Sequence, residues 1–332
     1  FRRVLFRSSL FNNVLAGAAG QQGYTISRSV RIRASASAYF NRTIGTPTLA
    51  TKLTYSGWVK RGSLGINGVF FSLGQSTGTA NYLQCYFTTS DTIQVYGVSS
   101  SSAVMSVATP AVFRDTSAWY HITVVIDTTQ ATGSDRVKIY VNGVAQTVTT
   151  GTAITQNANI PANTNAYIGG VGAVIYNAAY TNYFDGYLTE INFIDGQALT
   201  PSSFGQVNTI TGVWGPIKYL GTYGTNGFYL NFSDNSAATA ATIGKDWSGN
   251  GNNWTPNNIS VTTGTTYDSM LDVPTMWADG GNGRGNYAVL NPVSKIPSTG
   301  TATNSAGNLQ YVGATTGSTA NGFNASIGDR KS

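Results

Sequence analysis

Between Trp119 and Gly143 the chain spells out two strands and a tight turn. In Trp119–Asp127, Tyr120, Ile122, Val124 and Ile126 fall on one face. Trp119, His121, Thr123 and Val125 fall on the other. A period of two with one apolar face describes a strand in a packed sheet. Val137, Ile139 and Val141 then alternate with Arg136, Lys138 and Tyr140 and run into Asn142-Gly143. Both turn residues accept the positive φ of a type I′ turn, so a hairpin returning through Ala145–Thr149 is expected. Further strands are expected at Tyr24–Arg33, Leu53–Lys60, Val69–Leu73, Tyr82–Thr88, Thr92–Gly97, Ala166–Gly169, Phe184–Ile194 and Gly227–Phe232. One helical turn is expected at Thr200–Phe204, with Thr200 as N-cap and Pro201 at the first position. Short, regularly spaced strands joined by turn residues describe an all-β sandwich or barrel, and no βαβ unit is legible.

Composition supports that class. Charged residues make up 10 % of the 332, well under the usual share of about 25 %. Gly, Asn, Ser and Thr carry the polarity, and 39 glycines suit tight turns. The apolar share of 41 %, with 19 tyrosines and six tryptophans, is enough for a core. One cysteine, Cys85, leaves no internal disulfide and no cysteine-based zinc site. No apolar run reaches the roughly 18 residues of a membrane helix, so no membrane insertion is expected.

Phe1–Ser8 (FRRVLFRS) reads as a translated sequencing adapter joined to a fragment of a longer gene. Without Arg2, Arg3 and Arg7 the basic count falls from 19 to 16 against 13 acids, and the net charge from +6 to +3. The remaining bases are scattered, which argues against nucleic acid as a partner. Residues 9–23 form a lead-in, 24–258 the sandwich domain, and 259–332 a linker or the truncated start of a second β domain.

Several segments together resemble a known family. They are GYTISRSVRI, SAYFNRT and YSGWVKRG within residues 23–62, the WYHITVVID and RVKIYVNG pair, and YFDGYLTEINFIDGQALTPSSFG. Downstream lie LNFSDNS, DWSGNGNNWTPNN, and DSMLDVPT followed by GNYAVLNPVSK. In this order they resemble the laminin G-like, concanavalin A-like lectin/glucanase domains of tail-fibre and related structural proteins of marine bacteriophages. The resemblance covers roughly residues 9–295. It implies a two-sheet antiparallel jelly roll and a virion location on the phage tail or an appendage. The implied partners are a host-surface glycan, other virion proteins and further copies of the chain. A purely architectural virion role is the alternative, with a glycan depolymerase behind it.

Glycoside hydrolysis needs two carboxyl groups about 5–10 Å apart. Glucanases of this fold place them in a Glu-x-Asp-x-Glu pattern, whereas Glu190 is the single glutamate here, with Leu188 and Asn192 at the same-face positions. A non-enzymatic protein is therefore expected, with Glu190 at an edge or exposed strand position and His121, the single histidine, as a structural residue. No cofactor is expected beyond one calcium candidate. Asp246, Ser248, Asn250 and Gly251 match positions 1, 3, 5 and 6 of a calcium loop, but Asn257 stands where a bidentate Glu belongs. An Asx turn capped by Asp246 is the competing and favoured reading, and Asp185 is a weaker second candidate. Gly280–Gly285 (GGNGRG) lacks the Lys-Ser/Thr of a phosphate loop. For sugar contact, Tyr176, Asn177, Tyr180, Asn182 and Tyr183 supply aromatic faces and amides in a loop-rich stretch.

Overall fold

The computed structural model describes residues 24–275 (apart from 78, 79, 177 and 210), with 285–287, 289–295, 303–305, 307–312 and 326–328 beyond them. The adapter-like residues 1–8, the lead-in 9–23, Asn177 and residues 280–284 lie outside these.

Twenty strands build the molecule up to residue 270. They begin with β1 (Ser29–Ile32), β2 (Tyr39–Thr43), β3 (Lys52–Arg61), β4 (Gly68–Gly74), β5 (Tyr82–Phe87), β6 (Thr92–Ser99) and β7 (Ser102–Val112). There follow β8 (Trp119–Asp127), β9 (Val137–Val141), β10 (Val144–Ala145), β11 (Thr149–Thr152), β12 (Ile168–Val171), β13 (Val174–Tyr176) and β14 (Ala179–Thr181). The last are β15 (Gly186–Asp195), β16 (Gly205–Val207), β17 (Trp214–Pro216), β18 (Phe228–Leu230), β19 (Thr255–Asn257) and β20 (Ser269–Met270). The first sheet runs β10-β9-β8-β3-β15-β1-β20, with β18 also paired to β15; the second runs β11-β7-β6-β5-β4-β12-β2-β19. Their pairings are antiparallel. The expected all-β, two-sheet antiparallel sandwich is what forms.

Period-two alternation places the core between the sheets. Tyr55, Val59, Ile122, Val124, Ile126, Leu188 and Phe193 of the first sheet meet Phe71, Leu83, Cys85, Phe87, Ile93 and Val95 of the second, all buried. Phe71 lies 5.2 Å from Phe193, and Phe228 lies 4.6 Å from the fully buried Trp254. That tryptophan is admitted by Gly169, where a Cβ would meet its ring at 2.7 Å. Asn142 and Gly143 take φ of 49° and 79°, the geometry expected of the β9–β10 turn.

The structure departs from the sequence reading in four places. Strand β7 was not anticipated, because Pro110 and the serines break its apolar pattern; Met105 and Val107 alone carry the buried face. The turn at Pro201–Ser203 forms a single 3-10 turn, but Thr200 makes no capping bond, and its hydroxyl pairs with Ser202 at 2.7 Å instead. Glu190 is not at an edge. It is buried at φ 53° within the bulge where β15 shifts register between Thr189 and Asn192, and Tyr229 Oη donates to its Oε2 at 2.7 Å. Finally, packing does not stop at residue 258. Strand β20 pairs with β1, and Ile259 and Val273 are buried, so residues 259–273 belong to the sandwich. The apolar content of that stretch is too thin to show this; its ion pairs fasten it.

Those ion pairs hold the chain against the outer face of the first sheet. Asp268, fully buried, accepts from Arg31 Nε at 3.1 Å and from Arg33 Nε at 2.7 Å. Trp58, Trp119 and Tyr187 point outward from this sheet and are covered by Ile26 and Val273.

Candidate functional site

The outer face of the second sheet has a different character. On β5, Leu83, Cys85 and Phe87 enter the core, so Tyr82, Gln84 and Tyr86 turn outward. On β6, Ile93 and Val95 enter, and Gln94 and Tyr96 turn outward. The register sets Gln84 opposite Ser72 and Tyr96, and Tyr96 opposite Ser106. Gly170 and Asn41 continue this row across β12 to β2. A band of hydroxyls, amides and aromatic rings thus crosses the sheet.

Hairpin β13–β14 covers one half of the band. Ser72 Oγ donates to the Ala173 carbonyl at 2.8 Å, and a Cβ at Gly170 would meet that same carbonyl at 2.5 Å. Val174 packs on Val69 and Tyr86. Tyr180 stacks on Tyr39 with centroids 4.0 Å apart, and Asn41 Nδ2 donates to its hydroxyl at 2.8 Å. Tyr183 lies 6.1 Å from the Tyr39 ring, while Asn182, at φ 52°, accepts from Val69 N through its carbonyl. Of the five residues read from sequence as a sugar site, Tyr180, Asn182 and Tyr183 therefore fasten the hairpin to the sheet. Asn177 lies outside the described residues. Tyr176 is 44 % exposed at the hairpin's rim.

The other half of the band is left accessible. Tyr82 stands between Tyr176, edge-on at 5.8 Å, and Tyr96, tilted at 6.0 Å; Tyr82 and Tyr96 are half-buried. Tyr86 Oη donates to Gln94 Oε1, whose Nε2 donates to Ser106 Oγ at 3.1 Å. Gln84 Oε1 is buried without a hydrogen-bond partner among the described residues. Burial pushes the Tyr82 hydroxyl up to about 12, and the Tyr96, Tyr176 and Tyr86 hydroxyls add to the effect. Strands β5, β6 and β7 contain no Asp or Glu. The face offers rings for stacking and neutral donors and acceptors, but no carboxyl pair for acid–base chemistry. Tyr82, Gln84, Gln94 and Tyr96 were missed by the sequence reading. Their signal was the polar-aromatic phase of YLQCYF and TIQVYG, opposite to the apolar phase that identified the strands.

The titratable residues singled out by sequence are committed elsewhere. Asp246 Oδ1 accepts from the Tyr229 and Ser248 amides, and Oδ2 from Ser248 Oγ and the Asn252 amide, all at 2.8 Å. Four donors occupy its four lone-pair directions, leaving none for a cation. Asn250 Nδ2 donates to the Gly224 and Gly227 carbonyls. The calcium reading of Asp246, Ser248 and Asn250 gives way to an Asx turn tying 246–253 to β18. Asp185 accepts from Ser63 Oγ at 2.9 Å and from the Ala34 amide at 3.2 Å, with burial pushing its carboxyl up. Among the described residues no three His, Cys, Asp or Glu side chains are placed to hold a metal. His121 lies between Trp214 Nε1, which donates to its Nδ1 at 3.0 Å, and Ser56 Oγ, 2.8 Å from its Nε2. Trp only donates, so the ring is neutral with its proton on Nε2; burial lowers its pKa to about 3. Burial likewise raises Glu190 to about 7, against the hydrogen bonds from Tyr229 and Tyr24.

Comparison with known proteins places these features in context. The family described as the concanavalin A-like lectin/glucanases superfamily matches residues 34–203, half of the chain. No curated protein matches the sequence. Among solved structures, a candidate carbohydrate-binding protein of Bacteroides ovatus is similar at 14 % identity and TM-score 0.47, over 70 % of this chain and 59 % of that one. The heptameric SAP-like pentraxin of Limulus polyphemus is similar at 16 % identity and TM-score 0.39, over 52 % and 78 %. The CBM40 of Ruminococcus gnavus IT-sialidase, bound to α2,3-sialyllactose, is similar at 14 % identity and TM-score 0.36, over 55 % and 94 %.

Proposed function

We infer that this chain, which belongs to the concanavalin A-like lectin/glucanases superfamily, is a non-catalytic carbohydrate-binding module that uses the accessible half of its second sheet. The observation that carries this reading is the band of Tyr82, Tyr96 and Tyr176 beside Gln94 and Ser106, free of carboxylates. A pyranose presents one apolar face for stacking on an aromatic ring and a rim of hydroxyls for amides. Neutral groups lose little when water leaves them for a ligand, provided that their hydrogen bonds are remade. The order of the sequence segments supports a place in a phage tail or appendage, where further copies would multiply weak single-site binding. Host-surface glycan is then the ligand.

Glycan-array binding by the full chain, read beside sugar release from the same glycans, tests this. Saturable binding without release, weakened by Tyr96→Ala, is the expected outcome. Binding to no glycan would move the chain to an architectural role, and release of sugar would make it a depolymerase.

A further inference from the structure

Lys60 is fully buried on the outer face of the first sheet, 226 residues before the asparagine that faces it. Its Nζ lies 2.8 Å from each of three oxygens: Asp272 Oδ2, Asn286 Oδ1 and the Tyr287 carbonyl. The lysine only donates, so the Asn286 atom facing it is the carbonyl oxygen. Asn286 Nδ2, in turn, donates to the Ser117 carbonyl at 2.9 Å, which holds the amide in that orientation. Trp119 Nε1 donates to the other oxygen of Asp272 at 2.9 Å. The Trp119 and Tyr187 rings and Val273 close the surroundings, with Nζ 5.7 Å from the Tyr187 centroid.

We propose that Lys60 and Asn286 are joined by an intramolecular isopeptide bond, formed with Asp272 as the proton-transfer group. A buried lysine held by one carboxylate is ordinarily a salt bridge. Here the same nitrogen also sits one bond from an amide carbon, with a carboxyl group touching it and no bulk water nearby. In a dry site the neutral amine and neutral acid compete well with the ion pair. Burial indeed pushes the Asp272 carboxyl up, against the opposing pull of Lys60. The balance is simple. Asp272 takes a proton from the Lys60 ammonium, and the freed lone pair attacks Asn286 Cγ. The C–Nδ2 bond breaks, and Nδ2 leaves as ammonia, taking the proton held by Asp272 and the one remaining on Nζ beyond the amide hydrogen. Lys60 and Asn286 then share one secondary amide, Asp272 is again a carboxylate, and ammonia leaves as ammonium. No oxidant, reductant or cofactor is consumed. Proximity of this kind replaces a bimolecular encounter by a unimolecular step.

Intact-mass spectrometry of the denatured full chain tests the proposal directly. The expected mass is lower than the sequence mass by one ammonia, with a tryptic peptide joining the Lys60 segment to the Asn286 segment and no cleavage after Lys60. Lys60→Arg and Asn286→Ala should each restore the full mass. Asp272→Asn, judged folded by circular dichroism, should leave the lysine unlinked. An unshifted wild-type mass with free Lys60 overturns the bond. So does an ammonia loss mapping to a succinimide at an Asn-Gly step, and a linked Asp272→Asn chain removes Asp272 from the chemistry.

Discussion

On the first sheet, Trp58, Trp119 and Tyr187 point outward and are buried beneath Ile26, Val273 and the chain around them. On the second, Tyr82, Tyr96 and Tyr176 point outward and stay half or more exposed. Both faces are aromatic; what differs is the polar company. The covered face carries charges in pairs, Arg31 and Arg33 with Asp268 and Lys60 with Asp272, all well buried but Arg33. The accessible face carries amides and hydroxyls. A face sealed by its own polypeptide can hold charges because each partner is delivered by the fold. A face that trades water for a ligand does so at lower cost with neutral groups.

Four measurements bear on this contrast. The largest effect should come from Asp268→Ala, which strands two arginines at a buried site: about 3–5 kcal/mol lost in urea unfolding. Glycan affinity of the folded fraction should be unchanged, and a cost under about 1 kcal/mol would mean that the covered face is not pinned by charge. Next comes Glu190, whose folded pKa of about 7 lies above the ordinary 4.5. Its neutral form is the one that the fold accommodates, so stability is greatest below about 4.5 and falls as pH rises to about 7, by about 3 kcal/mol at most. Glu190→Gln should flatten that slope in denaturation curves taken across the window. On the accessible face, Tyr96→Ala and Tyr176→Ala should each weaken glycan binding about tenfold, or about 1.4 kcal/mol, as read by titration calorimetry. Their unfolding midpoints should barely move, and a large loss of stability instead would assign these tyrosines to packing. The smallest expected effect is that of calcium. EDTA and added calcium should leave the melting temperature unchanged, since four protein donors fill the Asp246 carboxylate. A rise in melting temperature with calcium would reopen the loop as a metal site.

Local patterns were the legible part. The hairpin at Asn142-Gly143 and the inward phases of β3, β5, β6, β8 and β9 follow from period two and turn chemistry, which act within a few residues. The tyrosine-rich stretch 176–183 was legible as unusual but not as to its job, because stacking on Tyr39 and bonding to Asn41 depend on a strand about 140 residues earlier. Glu190 misled for a related reason. A single acid in an apolar strand suggests exposure, yet a bulge turned it into a buried bond with Tyr229.

Sequence by itself determined the class: scarce charge, abundant Gly and Asn and repeated period-two segments leave a sandwich as the way to bury this chain's apolar residues. Only the tertiary structure decided which face is sealed and which is open. Asp268 and Asp272 look like ordinary polar residues in a thin tail until β20 docks on β1 and brings them to Arg31 and Lys60. Partners more than 200 residues apart leave no periodic trace, since pairing across a fold is set by where the chain returns rather than by what stands next to it.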